Sequence, residues 1–173
     1  LQHIEMTRDV AARFHAQLGD CFVLPEAKVQ DDTMYIPGTD GAKMSKSKGN
    51  LIDIFQTDKA LRKQIMSIQT DSTPMEDPKN PDTDHVFALY KILATPEQTA
   101  TMRQNYLGGH YGFGHAKQAL FEVILERFNP ARERFDYFMS HTEEIDEALA
   151  VGAKKAALVV NEVLARVRKK IGY

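Results

Sequence analysis

The sequence lacks several features that would place the protein in a specialised class. It has a single cysteine, Cys21, so no disulfide can form within the chain, which fits a reducing compartment. No apolar run approaches the roughly 18 residues that a membrane span needs, and the first residues contain no signal-peptide pattern. The 22 basic and 24 acidic residues give a formal net charge of −2, which excludes a purely electrostatic nucleic-acid binder. We therefore expect a soluble, cytoplasmic protein that is not associated with a membrane.

The sequence does contain enough apolar residues to fold. Of its 173 residues, 43% are hydrophobic, which allows one sizeable core or two small ones and excludes disorder as the main state. The first apolar residues recur at helical spacing up to a glycine stop. They are Ile4, Ala11, Phe14 and Leu18, followed by Gly19. Because this helical pattern begins at Leu1 without an initiator Met, we expect the chain to be part of a longer protein.

The rest of the sequence is mainly helical in pattern. Residues 34–36 predict a short strand, residues 38–50 predict a loop, and Thr57 is placed to cap the helix that follows. Segment 71–84 is rich in proline and acidic residues, which predicts an exposed connector without helix or strand. Thr95-Pro96 predicts one later helix start, and a capping box at residues 140–143 predicts the last. The predicted fold class is mainly α: an α/β remnant followed by a helical bundle.

The strongest chemical signal is the loop sequence Lys43-Met44-Ser45-Lys46-Ser47-Lys48. Lysine supplies compact positive charge, serine adds hydrogen-bond donors, and flanking glycines let backbone N–H groups approach an anion. A loop of this kind is able to surround a polyphosphate. The general alternative is a basic loop that is merely solvated. The string KMSKS itself, placed between a predicted strand and a predicted helix, favours phosphate binding.

KMSKS is the second signature of the class I aminoacyl-tRNA synthetases, and further segments resemble the bacterial tryptophanyl-tRNA synthetase family. Residues 3–9 resemble a helix of that family, and residues 22–27 are similar to its F-x-x-P-E-A segment. Residues 36–41 resemble one bacterial branch, and residues 70–72 are similar to a T-D-S that follows the next helix. Residues 152–156 resemble the G-A-x-K-A of the last helix. The resemblance is ordered and runs along the whole chain.

The resemblance implies ATP-dependent attachment of tryptophan to tRNA(Trp) through a tryptophanyl-adenylate. It implies that Lys43 and Lys46 are catalytic, because they would neutralise the phosphates of ATP as pyrophosphate leaves. ATP would bring Mg²⁺ with it, without a metal caged by the protein. For Met44, simple anchoring of the loop is the alternative to a contact with adenosine. The residues implied to bind ATP are Met34, Lys43, Met44, Ser45, Lys46 and Ser47.

The same resemblance implies two domains. Residues 1–56 would be the C-terminal part of a Rossmann-like catalytic domain, with the signature loop at 43–47. Residues 57–173 would form the helical anticodon-binding domain, with the proline-rich acidic connector at 71–84. The family's first signature, H-I-G-H, is absent from the sequence, so we expect this chain alone not to form the adenylate. The implied partners are tRNA(Trp), ATP and tryptophan, and a homodimer is implied for the full-length enzyme.

Two alternatives remain open at the level of sequence. A tyrosyl-tRNA synthetase shares the architecture, and a non-catalytic helical module that binds RNA or a protein could retain the lysine loop. One stretch of the helical region alternates cations with aromatic rings, a combination that binds unpaired bases, although packing in a core is the commoner role of such rings. Its members are Arg127, Phe128, Arg132, Arg134, Phe135 and Tyr137.

Overall fold

The protein is described by a computed structural model that covers residues 1–28 and 35–173. Within these ranges the regular structure is helical and no β-strand forms. The predicted fold class, mainly α, is therefore confirmed. In chain order the helices are α1 (Gln2–Leu18), α2 (Asp58–Met66), α3 (His85–Leu93), α4 (Pro96–Gly108), α5 (Phe113–Ser140) and α6 (Thr142–Ile171).

The chain divides into two compact units. One unit consists of residues 1–30 and 138–173, and the other consists of residues 31–137. This division reflects packing, whereas the boundary proposed at residue 56 concerns function and stays a prediction. The lysine loop and helices α2 to α4 all lie in the second unit.

The first unit joins the end of α1 to the basic end of α6. Gly19 ends α1 with a positive φ of 76°, a conformation that glycine adopts without steric cost. The Lys170 ammonium donates a hydrogen bond of 2.8 Å to the carbonyl of Leu18, and the Arg166 guanidinium reaches the carbonyl of Cys21 at 3.4 Å. The bond from Lys170 satisfies a carbonyl at the end of α1, which would otherwise depend on water, and the bond from Arg166 holds the segment just after it.

The second unit is built around one apolar core shared by α2, α3, α4 and α5. Helices α2, α3 and α4 each start with a side-chain cap. The Thr57 hydroxyl accepts from the Ala60 N–H, and Thr95 forms a capping box with Gln98 ahead of Pro96. Both predicted helix starts are therefore confirmed. The largest fully buried side chains are Tyr106, Phe87, Leu61, Ile65, Ile68, Leu120 and Val86.

A buried carboxylate links two of these helices. The Asp84 side chain accepts a 2.8 Å hydrogen bond from the Phe87 N–H, which caps α3. The same Oδ1 accepts a second 2.8 Å bond from the hydroxyl of Tyr106 on α4. Tyr106 is completely buried, so this bond satisfies a hydroxyl that water cannot reach.

The connector predicted at residues 71–84 contains neither helix nor strand, but it is not uniformly exposed. Lys79 is only 3% exposed. Its ammonium donates to the carbonyls of Pro74 at 2.8 Å, Asp77 at 3.1 Å and Met75 at 3.4 Å. The connector thus folds around the Lys79 ammonium, which is held by carbonyl groups of the connector itself.

Two local predictions are wrong. Tyr35 and Ile36 do not lie in a strand, because the pairing near them within residues 35–173 is one isolated antiparallel bridge, between Pro37 and Lys43. Ser140 does not open the last helix, because α5 continues through it and the N-cap of α6 is His141, without a side-chain capping bond.

Candidate functional site

A tight reversal of the chain forms the base of the lysine loop. The Met44 N–H donates to the Ile36 carbonyl at 2.8 Å, and the Gly38 N–H donates to the Ala42 carbonyl at 2.7 Å. Gly41, at the turn, has a φ of +76°, and a Cβ at this position would collide with the His85 ring at the start of α3. Glycine is therefore required here both by backbone conformation and by space.

The buried amide of Asn50 occupies the inside of the loop. Asn50 is only 2% exposed, and its Nδ2 donates to the Asp40 carboxylate at 2.7 Å and to the Lys43 carbonyl at 3.2 Å. Its Oδ1 accepts from the Ser45 N–H at 2.8 Å. The hydrogen bond from Asn50 is the main cause that lowers the pKa of Asp40 below its usual value, because it stabilises the ionised carboxylate.

The second half of the loop is a single 3₁₀ turn, Lys46–Lys48. Gly49 ends it with a φ of 68°, and the Gly49 N–H donates to the Lys46 carbonyl at 3.2 Å. The hydroxyl groups of Ser45 and Ser47 lie 2.8 Å apart and share a hydrogen bond. The structure thus brings the two predicted serines together at one edge of the turn.

The lysines of the loop point their charge at solvent. Lys43, Lys46 and Lys48 are exposed, and none of them forms an ion pair with a carboxylate in residues 1–28 or 35–173. Three cations on a short loop, next to hydroxyl groups and glycine backbone, provide the donors that an oligophosphate requires. The arrangement is chemically able to hold an extended anion.

Met44 differs from its neighbours because it faces the apolar core. Its side chain is half-buried and packs with Ile36, Ile52 and Ile54 against the core of the second unit. An apolar cavity of about 180 Å³ lies among these residues. This packing favours the anchoring role for Met44. Met34, the remaining predicted ATP residue, lies outside the residues that the structure describes.

The cation and aromatic stretch on α5 is partly used for internal packing. The Arg132 guanidinium donates to the carbonyl of Ile54 and pairs with Asp58. Phe135 stacks on Phe55 with ring centroids 4.7 Å apart, although it remains 39% exposed. Of this stretch, therefore, Arg132 does not present a free cation to an RNA backbone.

Among the described residues, no three histidine, cysteine or acidic side chains are grouped so that they could hold a metal ion. None of the described helices combines the length and the apolar character that crossing a membrane requires.

Comparison with known proteins identifies the family. A family profile described as "tRNA synthetases class I (W and Y)" matches residues 1–129. The chain belongs to this family. The KMSKS loop and the core helices α2 to α4 fall within the matched residues of the synthetase family.

Individual relatives cover the chain almost from end to end. The chain is 46% identical over 172 residues to a tryptophan–tRNA ligase of Rhodopirellula baltica and 41% identical over 172 residues to that of Fusobacterium nucleatum. Its structure is similar to the crystal structure of the Campylobacter jejuni tryptophanyl-tRNA synthetase complexed with ADP and tryptophan, with a TM-score of 0.85, and the two sequences are 39% identical.

The match covers only part of each of these synthetases. The alignments include 99% of this chain but 54% of the Rhodopirellula protein and 54% of the Campylobacter chain. The chain thus spans about half the length of its relatives, and the matched half is their C-terminal part. The fold prediction of a catalytic-domain remnant followed by helices agrees with that position.

Sequence reasoning missed Asn50, which is buried inside the synthetase loop, and Asp40, which is exposed and accepts a hydrogen bond from the Asn50 amide. Both looked like ordinary polar loop residues, since a single sequence carries no pattern that separates a buried loop asparagine from a solvated one. The available signal was Asn50 itself, directly before the apolar Leu51 and Ile52, where the chain returns to the core.

Proposed function

We propose that this chain provides the ATP-phosphate loop and the helical region of a tryptophan–tRNA ligase. In the proposed reaction, the carboxylate of tryptophan attacks the α-phosphate of ATP, which forms tryptophanyl-adenylate and releases pyrophosphate. A hydroxyl group of tRNA(Trp) then takes the tryptophanyl group and releases AMP. The proposal is supported by the similarity to tryptophan–tRNA ligases along this whole chain, together with the exposed lysines of the loop.

In this reaction Lys43 and Lys46 bind the β- and γ-phosphates and stabilise the negative charge that moves onto pyrophosphate as it leaves. Ser45, Ser47 and the backbone N–H groups of the turn hold the triphosphate in position. Met44 anchors the loop to the core, and Met34 is proposed to contact the adenine of ATP through its backbone. Mg²⁺ enters as the companion of the ATP phosphates and neutralises part of their charge.

The relatives described above favour tryptophan over tyrosine as the amino acid. Those at 46% and 41% identity over 172 residues are named tryptophan–tRNA ligases, although the family profile includes both specificities. We further propose that the full-length enzyme is a cytoplasmic homodimer and that this chain alone does not form the adenylate. Tryptophan-dependent ATP–pyrophosphate exchange by the 173-residue chain would contradict the last statement.

Phosphate binding by the loop is tested by calorimetric titration of the chain with ATP·Mg²⁺ and with tripolyphosphate. Lys43→Ala and Lys46→Ala should each weaken binding by about tenfold or more, because each variant removes a charge-assisted contact. Lys48→Ala is the matched control, since Lys48 is exposed on the same turn but has no proposed contact. Equal effects of all three variants would mean that the loop acts only through its net charge, and the proposed roles would be wrong.

The alternative of a non-catalytic helical module is tested by filter binding with tRNA over a series of salt concentrations. A preference for tRNA(Trp) and a steep loss of binding with salt are expected. Binding of tRNA combined with no affinity for ATP or tripolyphosphate would favour an RNA-binding module over the ligase.

A further inference from the structure

Asn50 is one of the few buried polar side chains of the described residues, and it lies inside the loop proposed to bind phosphate. The other buried polar or charged residues among those described are Lys79 and Asp84. Lys79 bonds to the Pro74 carbonyl and Asp84 bonds to the Tyr106 hydroxyl, so neither contacts the loop lysines through these bonds. A buried primary amide is retained at low cost only when its donors and acceptor are satisfied. What Asn50 bonds to therefore indicates what it does.

The Asn50 amide connects the backbone on both sides of Met44. Its Nδ2 donates to the Lys43 carbonyl at 3.2 Å, and its Oδ1 accepts from the Ser45 N–H at 2.8 Å. The Asp40 carboxylate, which also accepts from the Ala42 N–H at 3.0 Å, receives the other Nδ2 bond. A reversed amide would place its oxygen against two oxygen acceptors, so Asp40 fixes the orientation of the Asn50 side chain.

The backbone of Asn50 is itself tied to the helical core. Its carbonyl accepts from the Thr39 N–H at 3.0 Å, and the Thr39 carbonyl accepts from the Gln69 N–H at 2.8 Å, just beyond the end of α2. Gly38 leaves the space that the amide fills, since a Cβ there would overlap the Asn50 side chain. The first half of the loop is thus held from the core outwards.

We propose that Asn50, oriented by Asp40, is a positioning residue that fixes the backbone from which the Lys43 side chain extends. The effect on ligand binding rests on the proposed function, because the Lys43 ammonium is the group proposed to bind phosphate. Lys46 differs, since it lies in the 3₁₀ turn, which is closed by local hydrogen bonds. The Lys48 N–H donates to the Ser45 carbonyl at 3.3 Å, and the Gly49 N–H donates to the Lys46 carbonyl at 3.2 Å. Loss of the Asn50 amide should therefore affect phosphate binding through Lys43 and not through Lys46.

Hydrogen exchange tests the positioning directly. In Asn50→Ala the Ser45 amide loses its acceptor, and its exchange should be faster by about tenfold, the effect of one lost hydrogen bond. Asp40→Asn keeps an acceptor oxygen and should have a smaller effect. Asn105→Ala, on the exposed face of α4, is the matched control and should leave the loop unchanged. If the Ser45 amide exchanges at the wild-type rate in Asn50→Ala, the inference is overturned, whatever the loop binds.

Tripolyphosphate titration of single and double variants tests the consequence. Asn50→Ala should weaken binding by about three- to tenfold. Its effect should largely disappear in the Lys43→Ala background and remain in the Lys46→Ala background. Equal effects in both backgrounds would refute positioning through Lys43. If the wild-type chain binds no tripolyphosphate, the proposed function fails, and hydrogen exchange at Ser45 alone decides whether Asn50 positions the loop.

Discussion

The buried contact between Asp84 and Tyr106 should account for a large share of the stability of the second unit, and Asp84→Ala is the perturbation that tests this. The variant removes the N-cap of α3, which is worth about 1 kcal/mol. It also leaves the Tyr106 hydroxyl buried without a partner, which costs about 1–3 kcal/mol. Together these effects predict a loss of about 2–4 kcal/mol from a domain stability of roughly 5–15 kcal/mol.

The assay is urea unfolding followed by circular dichroism, with a double-mutant cycle. In the Tyr106→Phe background no hydroxyl remains to be stranded, so Asp84→Ala should cost only the cap, about 1 kcal/mol. Asp82→Ala is the control: its carboxylate pairs with Arg103 at 2.6 Å but is exposed, so its loss should cost much less than the loss of Asp84. If Asp84→Ala costs the same with and without the Tyr106 hydroxyl, the reasoning from the stranded group is refuted.

Three further predictions follow from the same packing. Burial is the main cause that raises the pKa of Tyr106, so its contribution to the free energy of unfolding is fully present below about pH 10, where unfolded tyrosine begins to ionise. Above that pH the free energy of unfolding should fall by about 1.4 kcal/mol per pH unit. Unfolding measured over an alkaline pH series should show this slope, and Tyr106→Phe should reduce it. Lys79→Met should cost about 2–3 kcal/mol in urea unfolding, because several carbonyls around the ammonium lose their donor; a neutral result would mean that water replaces the ammonium. Gly41→Ala should lower the free energy of unfolding by at least about 2 kcal/mol, because of the positive φ and the collision of the new Cβ with His85. Adding His85→Ala should restore only the part of this loss that is due to the collision. Full restoration would show that the backbone at Gly41 is unstrained.

The helical framework could be predicted because its signals are local. A helix start is encoded within four residues, so Thr57 and the Thr95-Pro96 pair were recognisable as caps, and Gly19 was recognisable as a stop. Ser140 shows the limit of such signals. Its local sequence resembles a capping box, but α5 extends through Ser140, and the hydroxyl lies 3.1 Å from Nδ1 of His141 instead of capping α6.

The position of the signature loop could be predicted from the sequence, whereas its construction could not, and the roles of its residues in binding ATP stay predictions. The string KMSKS pointed to Lys43 and Lys46, and both are exposed, as a phosphate site requires. Which way Met44 points could not be read from the string, because that depends on apolar residues brought to it from Ile36, Ile52 and Ile54. Lys79 is a similar case, since only the folded connector supplies the carbonyls that make its burial possible.

The sequence alone determined the helical class, several helix ends and the family, because these depend on short-range pattern and on an ordered series of motifs. The tertiary structure alone decided how the loop is held. Asn50 contacts residues 5, 7 and 10 positions away, and its burial depends on Gly38 and on the return of the chain to the core. Such hydrogen bonds form only when the folded loop brings the Asp40 carboxylate and the backbone of Lys43 and Ser45 to the Asn50 amide. No periodicity in a single sequence encodes that arrangement.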